Sequence, residues 1–464
     1  NPSETKKDDK KDPGEEKKID TKPVEPPPAP MIPEVPFGPP SNKIAVVGKL
    51  AASGPKEPSM LLQSPADKID WKRLPGREGD VSSGRLLMSI PGVKNTINLA
   101  RGTQLILWGN LPEVTQQSHI LESIAEIHEN DKLDLDLTLR RGRIVVATPK
   151  GAKSAHVRIR VEDPTQGKME HLDVLLEGPD SAVAFDRWTS FDPKEPFYAD
   201  RNDIARKGPK STVVTVALTG SSILKVGDLT FALLPTMFVS KDSWDGVSNP
   251  GKLPAQLLEW YSGMPALPAG ADPRPRTGAL KANENLVRNL DSKAIDTALA
   301  EMLRSQDPSA RQLAVRGLSA LDDVVAIIDE FNSESNAPDV RQTCIQVLRN
   351  WVAQDRDNDY KLHDLLRDKY TVKSNVANKI MELLHFLPPD RLTQPKTYET
   401  LIEDLDNGAL MLRELSAWHL YALVNAGRNI AYSAVAPQPA RAAAVRAWQQ
   451  LVPAGKMPPA GKKR

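Results

Sequence analysis

The sequence predicts a chain of three parts: a disordered charged and proline-rich tether, an all-β roll or sandwich, and a C-terminal α-helical array. Three observations carry this. Large apolar residues are few in the first forty-two positions. Period-two alternation of apolar and polar residues then recurs through 43–263, and beyond a Pro/Gly-rich stretch at 264–278 the apolar period becomes 3.6. At 464 residues the chain exceeds one ordinary core, so separate domains are expected on length alone.

Residues 1–42 alternate Lys with Asp and Glu and then run through VEPPPAPMIPEVPFGPP. So few large apolar groups cannot offset the entropy of ordering, and the prolines favour extended polyproline II, which makes the segment a tether. An interaction motif within it would sit at Pro26, Pro27 and Pro28. The first residue is Asn1 rather than Met, so a signal segment or membrane anchor is expected upstream. No run of about 18 apolar residues reads as a membrane span within the chain.

The β part (43–263) is organised around 82–113, SSGRLLMSIPGVKNTINLARGTQLILWGNLPE. Ile97 and Leu99 alternate with polar neighbours before Arg101-Gly102, as Leu105 and Leu107 do after it, the pattern of a hairpin with one buried face. Trp108-Gly109-Asn110 closes the stretch. In Leu133-Asp134-Leu135-Asp136-Leu137-Thr138-Leu139 four leucines share one side and polar groups the other. A one-residue slip would forfeit roughly 6–12 kcal/mol of burial, so the register is fixed. Arg141-Gly142 is expected to turn a second hairpin into Ile144 and Val146. Alternation returns around residues 159, 174, 184, 216, 225 and 231, interrupted by a loop rich in Asp, Pro and Lys at 192–210. Many short strands argue for a sandwich, jelly roll or solenoid-like roll.

Past the linker at 264–278, an amphipathic helix is expected over 286–303, with a break and cap at Asp291 and Ser292. A repeat follows within the helical part, 279–452. Arg311 precedes Ala314, Val315 and Leu318; Arg341 precedes Cys344, Ile345 and Leu348; Arg413 precedes Ser416, Ala417 and Leu420. Pro308 and Pro338 lie three residues before the first two arginines, where a helix tolerates proline in its first turn. A degenerate unit fits at Lys373, Val376, Ala377 and Ile380. This spacing resembles a HEAT-like array, in which each helix pair buries its face on its neighbours. A last helix is expected from Pro439 through Trp448 and Leu451, and 453–464 form a basic tail.

The chemistry-bearing patterns are missing. No HExxH, G-x-S-x-G, P-loop or dinucleotide fingerprint occurs, so no catalytic, cofactor-binding or metal-ligating residue is assigned and no cofactor is expected. Net charge is +1, which points away from nucleic acid. Cys344 is the only cysteine and reads as a small buried side chain. Asp134 and Asp136 read as carboxylates on a solvent face, and His119, His128, His156 and His171 as surface positions, whereas His419 reads as a helix packing residue. Trp188, Trp244 and Trp260 are open to two readings, core packing or stacking on sugar rings.

Two segments resemble the FecR-type domain of bacterial envelope proteins: Gly102-Thr103-Gln104-Leu105-Ile106-Leu107-Trp108 and Leu139-Arg140-Arg141-Gly142-Arg143-Ile144-Val145-Val146, with VALTGSSILKVGDLTFALLP at 216–235 similar in style. The resemblance covers about 160 residues and implies an all-β roll on the extracytoplasmic side. In that family the domain relays a surface signal to a sigma factor through a cytoplasmic segment that nothing here matches. The expectation is therefore a non-enzymatic, envelope-associated binding or scaffold protein, in signalling, with a protein partner on the polar faces of the helical array and a membrane link only through an upstream anchor. The alternative function is binding of cell-wall glycan through Trp188, Trp244 or Trp260. The alternative location is the cytoplasm.

Overall fold

The computed structural model describes residues 31–51, 60–74, 78–202, 207–262 and 265–459. The first thirty residues of the expected tether, with their triproline, and the tail residues Lys462, Lys463 and Arg464 lie outside the described residues. Strands occupy the chain from Val46 to Lys252, and helices follow from Ala255 to Leu451. A β part followed by an α array is the architecture the alternation predicts.

The strands form two sheets. One runs Asp80–Ser82, Val46–Leu50, Lys94–Leu99, Gln104–Trp108, the second half of Leu135–Ala147, Ala182–Ser190, Lys210–Thr219 and Met237–Asp242. The other runs Lys72–Arg73, Leu61–Pro65, Arg85–Ser89, Ser123–His128, the first half of Leu135–Ala147, Ala155–Glu162, Met169–Leu176, Ser222–Val226 and Leu229–Leu233. Inward residues such as Ile97, Leu105, Leu137, Leu139 and Phe185 form a common core. The hairpin at Arg101-Gly102 forms with Ile97 opposite Leu105, and Gly102 takes φ 87° at its turn.

The second expected hairpin does not form. Leu135–Ala147 continues through Arg141-Gly142 as one strand that leaves one sheet and enters the other. Gly142 makes the bend possible: its φ is 94°, and a Cβ there would lie 2.1 Å from the Glu122 carbonyl oxygen. Arg187 clamps the crossing. Its guanidinium donates to the carbonyls of Leu139 and Arg140, both at 2.5 Å, and to that of Glu162.

The polar side of the leucine strand is closed rather than solvated. Asp136 and Thr138 are buried, and Asp136 takes a bidentate pair from Arg160 at 2.6 and 2.9 Å. The cause is the last part of the expected tether, which lies across this face from residue 31 onward. Arg158 donates to the carbonyls of Val35 (2.6 Å) and Pro36 (3.1 Å), and Arg160 to that of Gly38 (2.7 Å). Phe37 stacks on His171 with centroids 4.1 Å apart. His128 and His156 are buried as well, because the strands that carry them have no free face. His119 stays exposed and His171 half-exposed.

In the helical part, Arg274–Asn289 starts inside the expected linker, with proline in its first turn, and Ile295–Leu303 follows. The chain breaks between them, at Asp291 and Ser292, but Ala294 rather than either residue is the cap. Pro308–Ala320 packs on Pro338–Val352, which packs on Ser374–Leu384 and Leu410–Leu423; Val324–Asn332, Asn358–Asp368 and Pro395–Asp404 pack against their sequence neighbours in that row. Ala314, Cys344, Ala377 and Ser416 are fully buried where the helices approach. The repeated arginine is a brace: Arg341, Arg413 and, in Gln438–Leu451, Arg441 each donate to a carbonyl five residues upstream, those of Asn336, Gly408 (3.0 Å) and Ala436 (2.7 Å). Arg311 instead meets Glu330 at 3.2 Å.

The β and α parts share one core. Leu62, Leu86 and Met88 of the second sheet, and Ile90 just past the end of its strand, pack with Ala282, Leu286 and Leu313 of the helices, while the alternate residues Leu61 and Leu87 face the sandwich interior. Polar ties flank this contact: Arg73 donates to the Leu290 carbonyl at 3.0 Å, and Asn283 to that of Gly92 at 2.8 Å. In the segment after Ala182–Ser190, Phe197 packs on the rings of Tyr360 and His363 and ties that segment to the helices.

Candidate functional site

Between the two parts lies a half-open cleft of about 710 Å³, a volume in the range of small-ligand sites. Its β wall comes from two segments. The first is the loop that follows the short helix Pro112–Thr115. Buried Asn110 braces this loop by donating to the carbonyls of Gln117 (3.0 Å) and Ile120 (2.9 Å) and accepting from Thr115 Oγ1 at 2.6 Å. Gly109 brings Asn110 into place, since a Cβ there would lie 1.7 Å from the Ile90 carbonyl oxygen. Ser118 and His119 are thereby presented to the cleft. The second segment is the end of Ala182–Ser190, where Trp188 lies 4.8 Å from the His119 ring and Phe191 follows.

A buried network supports this wall. Arg143 makes a bidentate pair with Asp186, both bonds 2.6 Å, and also donates to Gln117 Oε1 at 3.0 Å and the Trp260 carbonyl at 3.2 Å. Tyr261 donates its hydroxyl to Asp186 at 2.8 Å. Burial alone would lower the Arg143 pKa, yet the Asp186 carboxylate holds it above the ordinary value. Burial together with Asp186 pushes the Tyr261 hydroxyl well up. Both groups stay in one protonation state around neutrality, so the network orients without titrating.

The α wall is one face of Pro338–Val352, where Gln342, Gln346, Arg349 and Asn350 recur at helical spacing, joined by Gln312, Phe386 and Trp418. Asn350 ties the walls together by donating to the Ser118 carbonyl at 2.9 Å. Arg316 pairs with Glu113 across the cleft at 2.5 and 2.9 Å. Arg349 lies 4.2 Å from the Phe386 ring and 4.7 Å from that of Trp418, and burial lowers its pKa to about 10, so it is still charged at neutral pH.

The three candidate tryptophans are dispersed. Trp188 lines the cleft. Trp244 sits in the turn after Met237–Asp242, with the Lys207 ammonium 5.4 Å from its ring. Trp260 is half-buried on Ala255–Ser262 and gives its carbonyl to Arg143. His419 is buried inside the helical core and donates its Nε2–H to the Leu383 carbonyl at 2.8 Å. Among the described residues no group of three His, Cys, Asp or Glu is placed to hold a metal ion, and no helix is long and apolar enough to cross a membrane. The cleft itself was not legible in the sequence. Its nearest signal is the amide-rich stripe of Gln342, Gln346 and Asn350 beside the apolar stripe of Cys344, Ile345 and Leu348.

No family model matches the chain, and no curated protein matches it. Two solved structures are similar in part, both of a proposed anti-sigma factor from Parabacteroides distasonis, at 1.65 Å and 2.50 Å. The first is 13% identical with a TM-score of 0.23, and the match covers 38% of this chain and 65% of that one. The second has the same identity and TM-score and covers 48% of this chain and 92% of that one. A superposition at that level carries no argument about role.

Proposed function

We propose that this chain is a non-enzymatic binding protein of the bacterial envelope, acting in signalling, whose interdomain cleft receives a segment of a protein partner. The observation that carries this reading is the composition of the cleft. Amide side chains, which both donate and accept hydrogen bonds, alternate there with aromatic rings. Of the carboxylates at or behind the cleft, Glu113 pairs with Arg316, Glu122 with Arg141 and Asp186 with Arg143, while Asp339 accepts from the Val340 amide at the start of its helix. Carboxylates held in such pairs are poorly suited to moving protons at a reacting centre. The extracytoplasmic setting rests on the FecR-type motifs at 102–108 and 139–146.

The test is a photo-crosslinking residue at Gln346, on the cleft wall, set against one at exposed Glu301 on the outer helix Ile295–Leu303. An adduct with a defined envelope protein from position 346 alone is the expected result. Equal labelling from both positions, or adducts with cytoplasmic proteins only, would sink the reading.

One observation favours a second reading, a cell-wall glycan in the same cleft: the half-buried ring of Trp188 at its mouth. Quenching of tryptophan fluorescence by millimolar glycan that disappears in Trp188→Ala would select it.

A further inference from the structure

Arg349 differs from the other charges that line the cleft. Arg316 is neutralised by its two bonds to Glu113. Asp339 lies ten residues earlier on the same helix, roughly 15 Å along its axis. Among the described residues Arg349 makes no hydrogen bond and no ion pair, and its Nη1 is shielded from solvent without an acceptor. Its neighbours are the rings of Phe386 and Trp418, which lie over the guanidinium and leave its in-plane N–H groups as the edge available for bonding. Buried cations are normally paired, and a planar fork of donors matches two oxygens of one anion. The cavity supplies the room, and among the described residues no carboxylate pairs with this guanidinium.

We propose that Arg349 anchors an oxyanion subsite in the cleft, where its N–H edge receives the carboxylate or phosphate group of a ligand whose apolar part fills the space walled by Trp188 and Phe191. This deepens the reading above and rests on it: the partner segment that enters the cleft does so with an anionic group. Gln346, one turn earlier on the same helix and also lining the cleft, carries an amide N–H that can take a remaining oxygen lone pair. The negative charge selects, and the aromatic walls hold the body behind it.

The experiment titrates the full chain with benzoate, phenyl phosphate and the neutral isostere benzamide, read by calorimetry and by fluorescence of the cleft tryptophans. Saturable binding of an anion, with benzamide weaker by at least about tenfold, is the expected result. A preference for benzoate assigns a carboxylate source, and one for phenyl phosphate a phosphate source. Arg349→Gln should abolish the discrimination between benzoate and benzamide, and Arg349→Lys, which keeps the charge but loses the fork, should restore part of it. Gln346→Glu, which places a fixed carboxylate one turn away without disturbing the aromatic stack, should weaken anion binding on its own. Equal binding of benzoate and benzamide, or discrimination that survives both Arg349→Gln and Gln346→Glu, would overturn the subsite. The crosslink from position 346 separates the two ideas: if it persists while anions fail to bind, the subsite falls and the binding cleft stands.

Discussion

Gly142 and Gly102 look alike in sequence, each following an arginine and each at positive φ, 94° and 87°. Their surroundings differ. A Cβ at position 102 would meet nothing within 4 Å, whereas at 142 it would enter the Glu122 carbonyl and the Ser123 backbone. Gly102→Ala should therefore cost about 1 kcal/mol, the backbone term alone, and Gly142→Ala upwards of about 3 kcal/mol, because the strand can no longer change sheets. Denaturant midpoints of the two variants check this, and equal losses would refute the sheet-switching role. A second prediction at this scale concerns pH. Burial lowers the His419 pKa to about 4 from an ordinary 6.5, so between those values the unfolded chain binds a proton that the folded chain excludes. Stability is full above pH 6.5 and falls as pH drops towards 4, by about 3 kcal/mol from this group. His128 and His156, also lowered by burial, act in the same direction. His419→Gln should flatten part of that acid limb; a limb identical to that of the parent would assign the loss elsewhere.

Among the elements, the alternating strands were readable because their inward side chains all meet one core, and the helices because proline and a small residue recur at fixed offsets from arginine. What could not be read was whatever depends on a second surface. Asp136 looks solvent-facing until Arg160 and the Val35 to Gly38 carbonyls are in place, and the parallel pairing of Leu135–Thr138 with Val157–Arg160 forms only because the chain between them crosses into the other sheet and returns. Met60-Leu61-Leu62 and Leu86-Leu87-Met88 are consecutive apolar runs rather than alternating ones, the mark of strands buried on both faces, and so carried the interface in plain view. The strap at 31–42 itself has a measurable role. Phe37 stacks on His171 and lies 5.0 Å from the Arg160 guanidinium, and three strap carbonyls accept from buried arginines. Removing residues through Gly38 should cost about 2 kcal/mol, since water replaces the carbonyls but not the ring. The truncated chain should melt several degrees lower; an unchanged midpoint would show the strap to be a passive covering.

For the whole molecule the decisive fact is that the apolar cluster holding the helices together also contains Leu62, Leu86, Met88, Ile90 and Phe197 of the β part. Each buried side chain of that size is worth about 1.5–3 kcal/mol, so these five alone carry roughly 7.5–15 kcal/mol gross, comparable to the 5–15 kcal/mol that keeps an ordinary domain folded. The halves are therefore expected to unfold together, although the sequence shows a Pro/Gly-rich junction between them. Cys344 offers a reporter for one half. It is fully buried, and burial raises its thiol pKa far above the ordinary range, so a thiol reagent reaches it only when the helices open. Amide exchange in the hairpin of Lys94–Leu99 and Gln104–Trp108 reports the other half. In increasing denaturant the two opening free energies should fall along one line and meet at one midpoint. If Cys344 is labelled well before the hairpin exchanges, the helical array opens alone, the shared core is weaker than its area implies, and the cleft between the halves is a hinge rather than a fixed site.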